Sequence, residues 1–162
     1  MKRKLLLLCT VISFVMTGCC DKTRSVDFPI VGASTDNSII IEKAELTDSV
    51  TRLHIRGYNR PGWWIKVAPE THLMADGVRY DMIGAEGVVI DKKLAMPEDG
   101  DSLFVLRFDP LPINTKSFDF IEGHDNTAWR LYGIDLTGKP ADAYKKGLPK
   151  RIKTTSDKVC DV

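Results

Sequence analysis

From Ser38 to Leu136 the apolar positions fall in short runs separated by turn-forming residues every 8–12 positions. The runs are "SIIIEKAEL", "TRLHIRGY", "WWIKVA", "THLMAD", "VRYDMIGAEGVVI", "SLFVLRFDP", "SFDFIEG" and "AWRLYGIDL". In "TRLHIRGY", Leu53 and Ile55 alternate with His54 and Arg56, the period-two pattern of a half-buried strand. The separators (Arg-Pro-Gly, Asp-Gly, Pro-Glu-Asp-Gly, Pro-Leu-Pro and His-Asp-Asn) are turn chemistry. No window longer than ten residues in this region carries a helical stripe. The pattern predicts an all-β fold, an antiparallel β-sandwich of immunoglobulin-like type with about 7–9 strands. Asp76-Gly77 is expected as a two-residue hairpin turn, because Gly accepts positive φ. Residues 117–136 are expected as a second hairpin with its tip near His124-Asp125-Asn126, and "MIGAEG" as a bulge or tight turn.

The two flanks differ from this pattern. The first 18 residues have Lys2, Arg3 and Lys4 followed by an apolar run of 12 residues, Leu5–Met16. A bilayer-spanning helix needs about 20. The segment therefore reads as a secretory signal peptide. Met16-Thr17-Gly18-Cys19 has the small residues before a cysteine that mark a bacterial lipoprotein, so Cys19 is the expected lipidation site and new N-terminus. Two or three acyl chains hold a protein stably at a membrane. Residues 19–37 read as a lipid-anchored tether, which fully extended would reach about 60 Å. Within it, "VDFPIV" is a candidate edge strand, since Pro29 rules out a central one. Residues 137–162 form a basic C-terminal tail with seven Lys and Arg from Lys139 onward. Such a tail is either solvated or in contact with anionic lipid headgroups.

Charge and cysteine content narrow the function. Without Lys2, Arg3 and Lys4, 20 of the 23 basic residues remain against 22 acidic ones. This balance gives no nucleic-acid footprint. Once Cys9 leaves with the signal and Cys19 is acylated, Cys20 and Cys160 are the remaining thiols, a candidate disulfide in an oxidising compartment. No Cys-x-x-Cys is present.

Chemistry-bearing motifs are sparse. In "YNRPGWWIKV", Pro61-Gly62 suits a type II turn leading directly into a strand. Alternation then places one of Trp63 and Trp64 inside and the other outside. The outward indole, with Tyr58 and Arg60, is a candidate binding face for a sugar ring or a protein surface. The plainer alternative is an indole lying beneath Arg or Lys stems. Glu122, His124 and Asp125 are metal-ligand types at one loop, but a self-satisfied turn is the expected role, and no metal or other cofactor is expected. Glu86, Glu122, Asp119 and Asp81 could supply a carboxylate pair, yet spacing alone selects none of them. No nucleophile elbow or phosphate-binding loop is found, so a non-enzymatic protein is expected.

The segments "IEKAELTDSVTRLHIRGYNRPGWWIKVA", "ADGVRYDMIGAEGV", "MPEDG", "SFDFIEG" and "LYGIDLTGK…GLPK", in that order, resemble the N-terminal β-sandwich region of Bacteroidetes lipoproteins in which a TlpA-like, thioredoxin-family domain follows. The resemblance covers about residues 38–150. It implies an envelope setting and a β-sandwich module. It does not bring thiol–disulfide chemistry, which in those relatives resides in the downstream domain. The expected function is that of an envelope lipoprotein, outer-membrane anchored and facing the periplasm, serving as a protein-interaction or accessory module. The alternative is a glycan-binding lipoprotein that uses an exposed Trp.

Overall fold

The computed structural model describes residues 22–137. The expectations for residues 1–18, Cys19, Cys20, Cys160 and the basic tail from Gly138 onward lie outside the described residues. The fold is all-β and antiparallel. Nine strands form one curled sheet in the order β1 (Thr23–Asp27), β3 (Ile39–Thr47), β4 (Thr51–Tyr58), β9 (Asp101–Phe108), β7 (Val78–Glu86), β6 (His72–Ala75), β10 (Ser117–Ile121), β11 (Arg130–Asp135) and β2 (Ala33–Ser34). A two-stranded ribbon, β5 (Trp64–Ile65) with β8 (Leu94–Ala95), stands apart from it.

The long strand β7 makes the sheet into a sandwich. Its first half pairs with β6, from Ala75↔Val78 to His72↔Asp81. Its second half pairs with β9, with a register shift between Met82 and Gly84. That bulge lies within "MIGAEG" and bends the strand from one layer to the other. Phe108 of β9 meets Phe120 of β10 edge-to-face across the interior, centroids 6.3 Å apart at 85°. Around them Ile41, Leu53, Ile55, Leu73, Leu106, Leu131 and Ile134 are fully buried. Each such side chain contributes about 1.5–3 kcal/mol relative to exposure.

Local pattern accounts for much of this. In β4, Thr51, Leu53, Ile55 and Gly57 are buried while Arg52, His54 and Arg56 stay partly exposed. In β3 a register shift between Ile41 and Lys43 resets the alternation. Ala44 and Leu46 then point inward and Lys43 outward. The Asp76-Gly77 turn has φ of 49° and 76°, the left-handed pair that a tight hairpin between β6 and β7 requires. β10 and β11 form the expected hairpin around His124-Asp125-Asn126.

The tether expected over residues 19–37 is corrected from Thr23 onward. β1 pairs along its whole length with β3, from Thr23↔Thr47 to Asp27↔Lys43. Ile30 bridges Asp135, and β2 pairs with β11. "TRSVD" has one aliphatic residue, so it has no hydrophobic period to read. Backbone pairing holds it instead, together with Arg24, whose guanidinium donates to the carbonyls of Ile113 (3.1 Å), Thr115 (2.7 Å) and Leu136.

Candidate functional site

One end of the sandwich carries the residues singled out in "YNRPGWWIKV". The Trp63 N–H donates to the Arg60 carbonyl at 3.0 Å, and Gly62 has φ of 76°, closing the expected Pro-Gly turn. Asn59 braces this turn. Its backbone N–H donates to the Gly100 carbonyl at 3.0 Å, and its side-chain amide donates to the Trp64 carbonyl at 2.9 Å. The ribbon then covers the end of the core, with Ile65, Val67 and Met96 buried beneath it.

Both indoles face outward, which corrects the expectation of one inside and one outside. Trp63 is 55% exposed and Trp64 47%. The strand covers only Trp64 and Ile65, so Trp63 belongs to the turn, and strand alternation does not govern it. Ile65 takes the inward position. The buried tryptophan is Trp129, whose indole N–H donates to Ser38 Oγ at 2.9 Å. Each exposed indole carries a cation. Arg60 lies 5.3 Å from the Trp63 ring centroid, and the Lys93 ammonium lies 4.1 Å from that of Trp64. These contacts are the stacked arrangement weighed as the plainer role, and they leave about half of each residue open.

Trp64 and Tyr58 help line a cleft of about 660 Å³. The loop between β10 and β11 contributes Gly123, Asp125 and Thr127 to the same lining. Asp36, Glu70, Asp91, Glu122 and Asp125 also line it, against Lys66 as its one lining cation. Lys66 is held by Asp91 at 3.1 Å, which raises its pKa. Glu70 and Asp125 add to the field that raises the Lys66 pKa, and guanidiniums reach their backbone carbonyls, Arg79 that of Glu70 at 3.4 Å and Arg130 that of Asp125 at 3.0 Å. The lining itself is acidic, five carboxylates against one Lys. Burial raises the Tyr58 hydroxyl pKa, keeping it a neutral donor and acceptor at physiological pH.

Glu122 sits beneath the cleft and is committed to the backbone. Its carboxylate accepts the Ala68 N–H at 3.2 Å on one oxygen and the Trp129 N–H at 2.9 Å on the other. Burial pushes its pKa up, and these two hydrogen bonds oppose the shift. The residue ties the ribbon's exit to the β10–β11 loop.

The other acids weighed for catalysis are likewise engaged. Asp81 pairs with Arg79 at 2.6 Å, Glu86 with Arg107 at 3.8 Å, and Asp119 accepts the Gly133 N–H at 2.7 Å. The three histidines occupy separate places. His54 is beside Glu45, His72 bonds the Glu70 carbonyl, and His124 is exposed. Among the described residues, no group of three or more His, Cys, Asp and Glu is placed to hold a metal ion.

The sequence pointed to Tyr58, Arg60, Trp63 and Trp64, and the structure brings all four to this end. Asp36, Glu70, Asp91 and Asp125 join Trp64 only through folding, because they lie on separate loops. Compared with models of protein families, with curated proteins and with solved structures, the chain matches none.

Proposed function

We propose that this chain is a lipid-anchored envelope protein, acylated at Cys19, whose sandwich acts by binding rather than by catalysis. Its role is a protein-interaction or accessory one of the kind implied by the likeness to redox lipoproteins. The observation that carries this reading is the pairing of two exposed indoles with an adjoining cleft. Large exposed aromatic groups mark interaction sites, where they bury much area at little entropic cost. A photo-crosslinking residue in place of Trp63 in living cells tests it. The expected result is one discrete adduct with an envelope protein that fades when Trp64→Ala is added. Reproducible absence of any adduct removes this reading.

Glycan binding is the second reading, favoured by the sharing of one cleft by Trp64, Glu70 and Asp125. An indole face takes the apolar face of a sugar ring, and free carboxylates accept from its hydroxyls. It predicts retention on an immobilised polysaccharide that is lost in Trp64→Ala. Equal retention of the wild type and of Trp63→Ala and Trp64→Ala variants removes it.

A further inference from the structure

The chain enters and leaves the domain at one end, and the cleft lies at the other. β1 starts with Thr23 opposite Thr47, beside the Thr47–Val50 turn. The described chain ends after β11, where the Leu136 carbonyl receives the guanidinium of Arg24, one residue into β1. The far end of β3 is Ile39, opposite Gly57. There the Tyr58 N–H donates to the Ser38 carbonyl at 2.7 Å, and both residues line the cleft. The nine residues of β3 separate the two ends by about 30 Å.

From this polarity we infer that the end bearing Asp48 and Ser49 is the membrane-facing surface of the protein, while the cleft opens away from the bilayer. The inference rests on the reading of Cys19 as the acylated residue. Only three residues separate Cys19 from Thr23, a reach of about 14 Å even when fully extended. With β1 built into the sheet, no long tether is left to let the domain turn over.

The test uses the full acylated protein in vesicles whose lipids carry a nitroxide at the headgroup. A fluorescent noncanonical residue replaces Ser49 in one variant and Asp99, in the turn next to Gly100, in another. In vesicles rich in phosphatidylglycerol, emission at position 49 is expected to be quenched several-fold more than at 99. Equal quenching at both positions overturns the orientation. The intact mass separates the underlying reading, since a chain without acyl mass at Cys19 overturns the anchor and the orientation with it.

Discussion

The guanidinium of Arg24 donates to the backbone carbonyl of Leu136, 112 residues later in the chain. It also reaches the Thr115 and Ile113 carbonyls, so one side chain joins the first strand to the segments flanking β10 and β11. Hydrogen bonds from a charged donor are worth about 1.5–3 kcal/mol each, and less where partly solvated. Arg24→Ala is expected to cost about 2–3 kcal/mol of unfolding free energy. Arg24→Lys should recover less than half of that, because an ammonium lacks the planar fork that spans three acceptors. Urea unfolding midpoints measure both. A loss no greater than that from Lys43→Ala, at an exposed ion pair with Glu45, would show that the three bonds contribute nothing.

Glu122 makes stability depend on pH in a defined direction. Burial raises its carboxyl pKa above the ordinary 4.5. Between 4.5 and the raised value, the folded chain holds a proton that the unfolded chain has lost. Its contribution to stability therefore falls as pH rises through that window. Above the folded-state pKa the cost is complete, and below 4.5 it is absent. Glu122→Gln keeps one acceptor and sets an amide N–H₂ against the other backbone donor. It is expected to lower stability by about 1–3 kcal/mol and to flatten this part of the pH profile. Carbon-13 titration of the carboxyl checks the premise, which a midpoint at or below 4.5 contradicts.

The parts of the fold legible in sequence are those set by local stereochemistry. Asp76-Gly77 declares a hairpin because few residue pairs accept two positive φ values. Leu53 and Ile55 declare a strand because the core lies on one side of it. β1 was legible only at Val26 and Asp27, where the candidate edge strand "VDFPIV" overlaps it, for the opposite reason. Val26 is its only aliphatic residue, and its place depends on β3 and on carbonyls about 90 or more residues away. The Trp pair was legible as a surface feature but not in its orientation, since a two-residue strand sets no period. Glu122 was visible as an acid and not as a brace. Its partners, Ala68 and Trp129, meet it only once the ribbon and the hairpin are in place.

Gly100 positions the Trp turn. It has φ of 68°, and a Cβ there would collide with the Asn59 carbonyl oxygen, a backbone atom that a rotamer change cannot move. The same residue accepts the Asn59 N–H through its own carbonyl. Gly100→Ala is expected to cost at least about 2 kcal/mol, from left-handed strain plus the collision. It should also alter the two-dimensional NMR cross-peaks of the Trp63 and Trp64 indoles while sparing that of Trp129. Unchanged indole peaks for Trp63 and Trp64 would uncouple Gly100 from the site.

Trp63 and Trp64 are the positions where binding and stability should separate. Each is about half exposed, and each meets a cation at the surface, Arg60 or Lys93, in a contact worth about 0.5–1 kcal/mol at exposed sites. Trp63→Ala and Trp64→Ala are each expected to change unfolding free energy by less than about 1 kcal/mol. Trp129→Ala, which empties a buried site and leaves Ser38 without its donor, should cost about 3–5 kcal/mol. Ligand or partner capture should respond in the reverse order among variants that remain folded. Trp64→Ala should lose it, because Trp64 lines the cleft. Trp63→Ala should weaken it less, because that ring lies outside the cleft lining. Lys93→Ala uncovers one face of the Trp64 ring and removes a charge beside an acidic cleft. It should strengthen capture of a cationic or neutral partner and weaken capture of an anionic one. The sign of that change, read by titration with the captured partner, separates an anionic partner from a cationic or neutral one. Capture undiminished in both Trp variants would remove this end of the sandwich as the binding face.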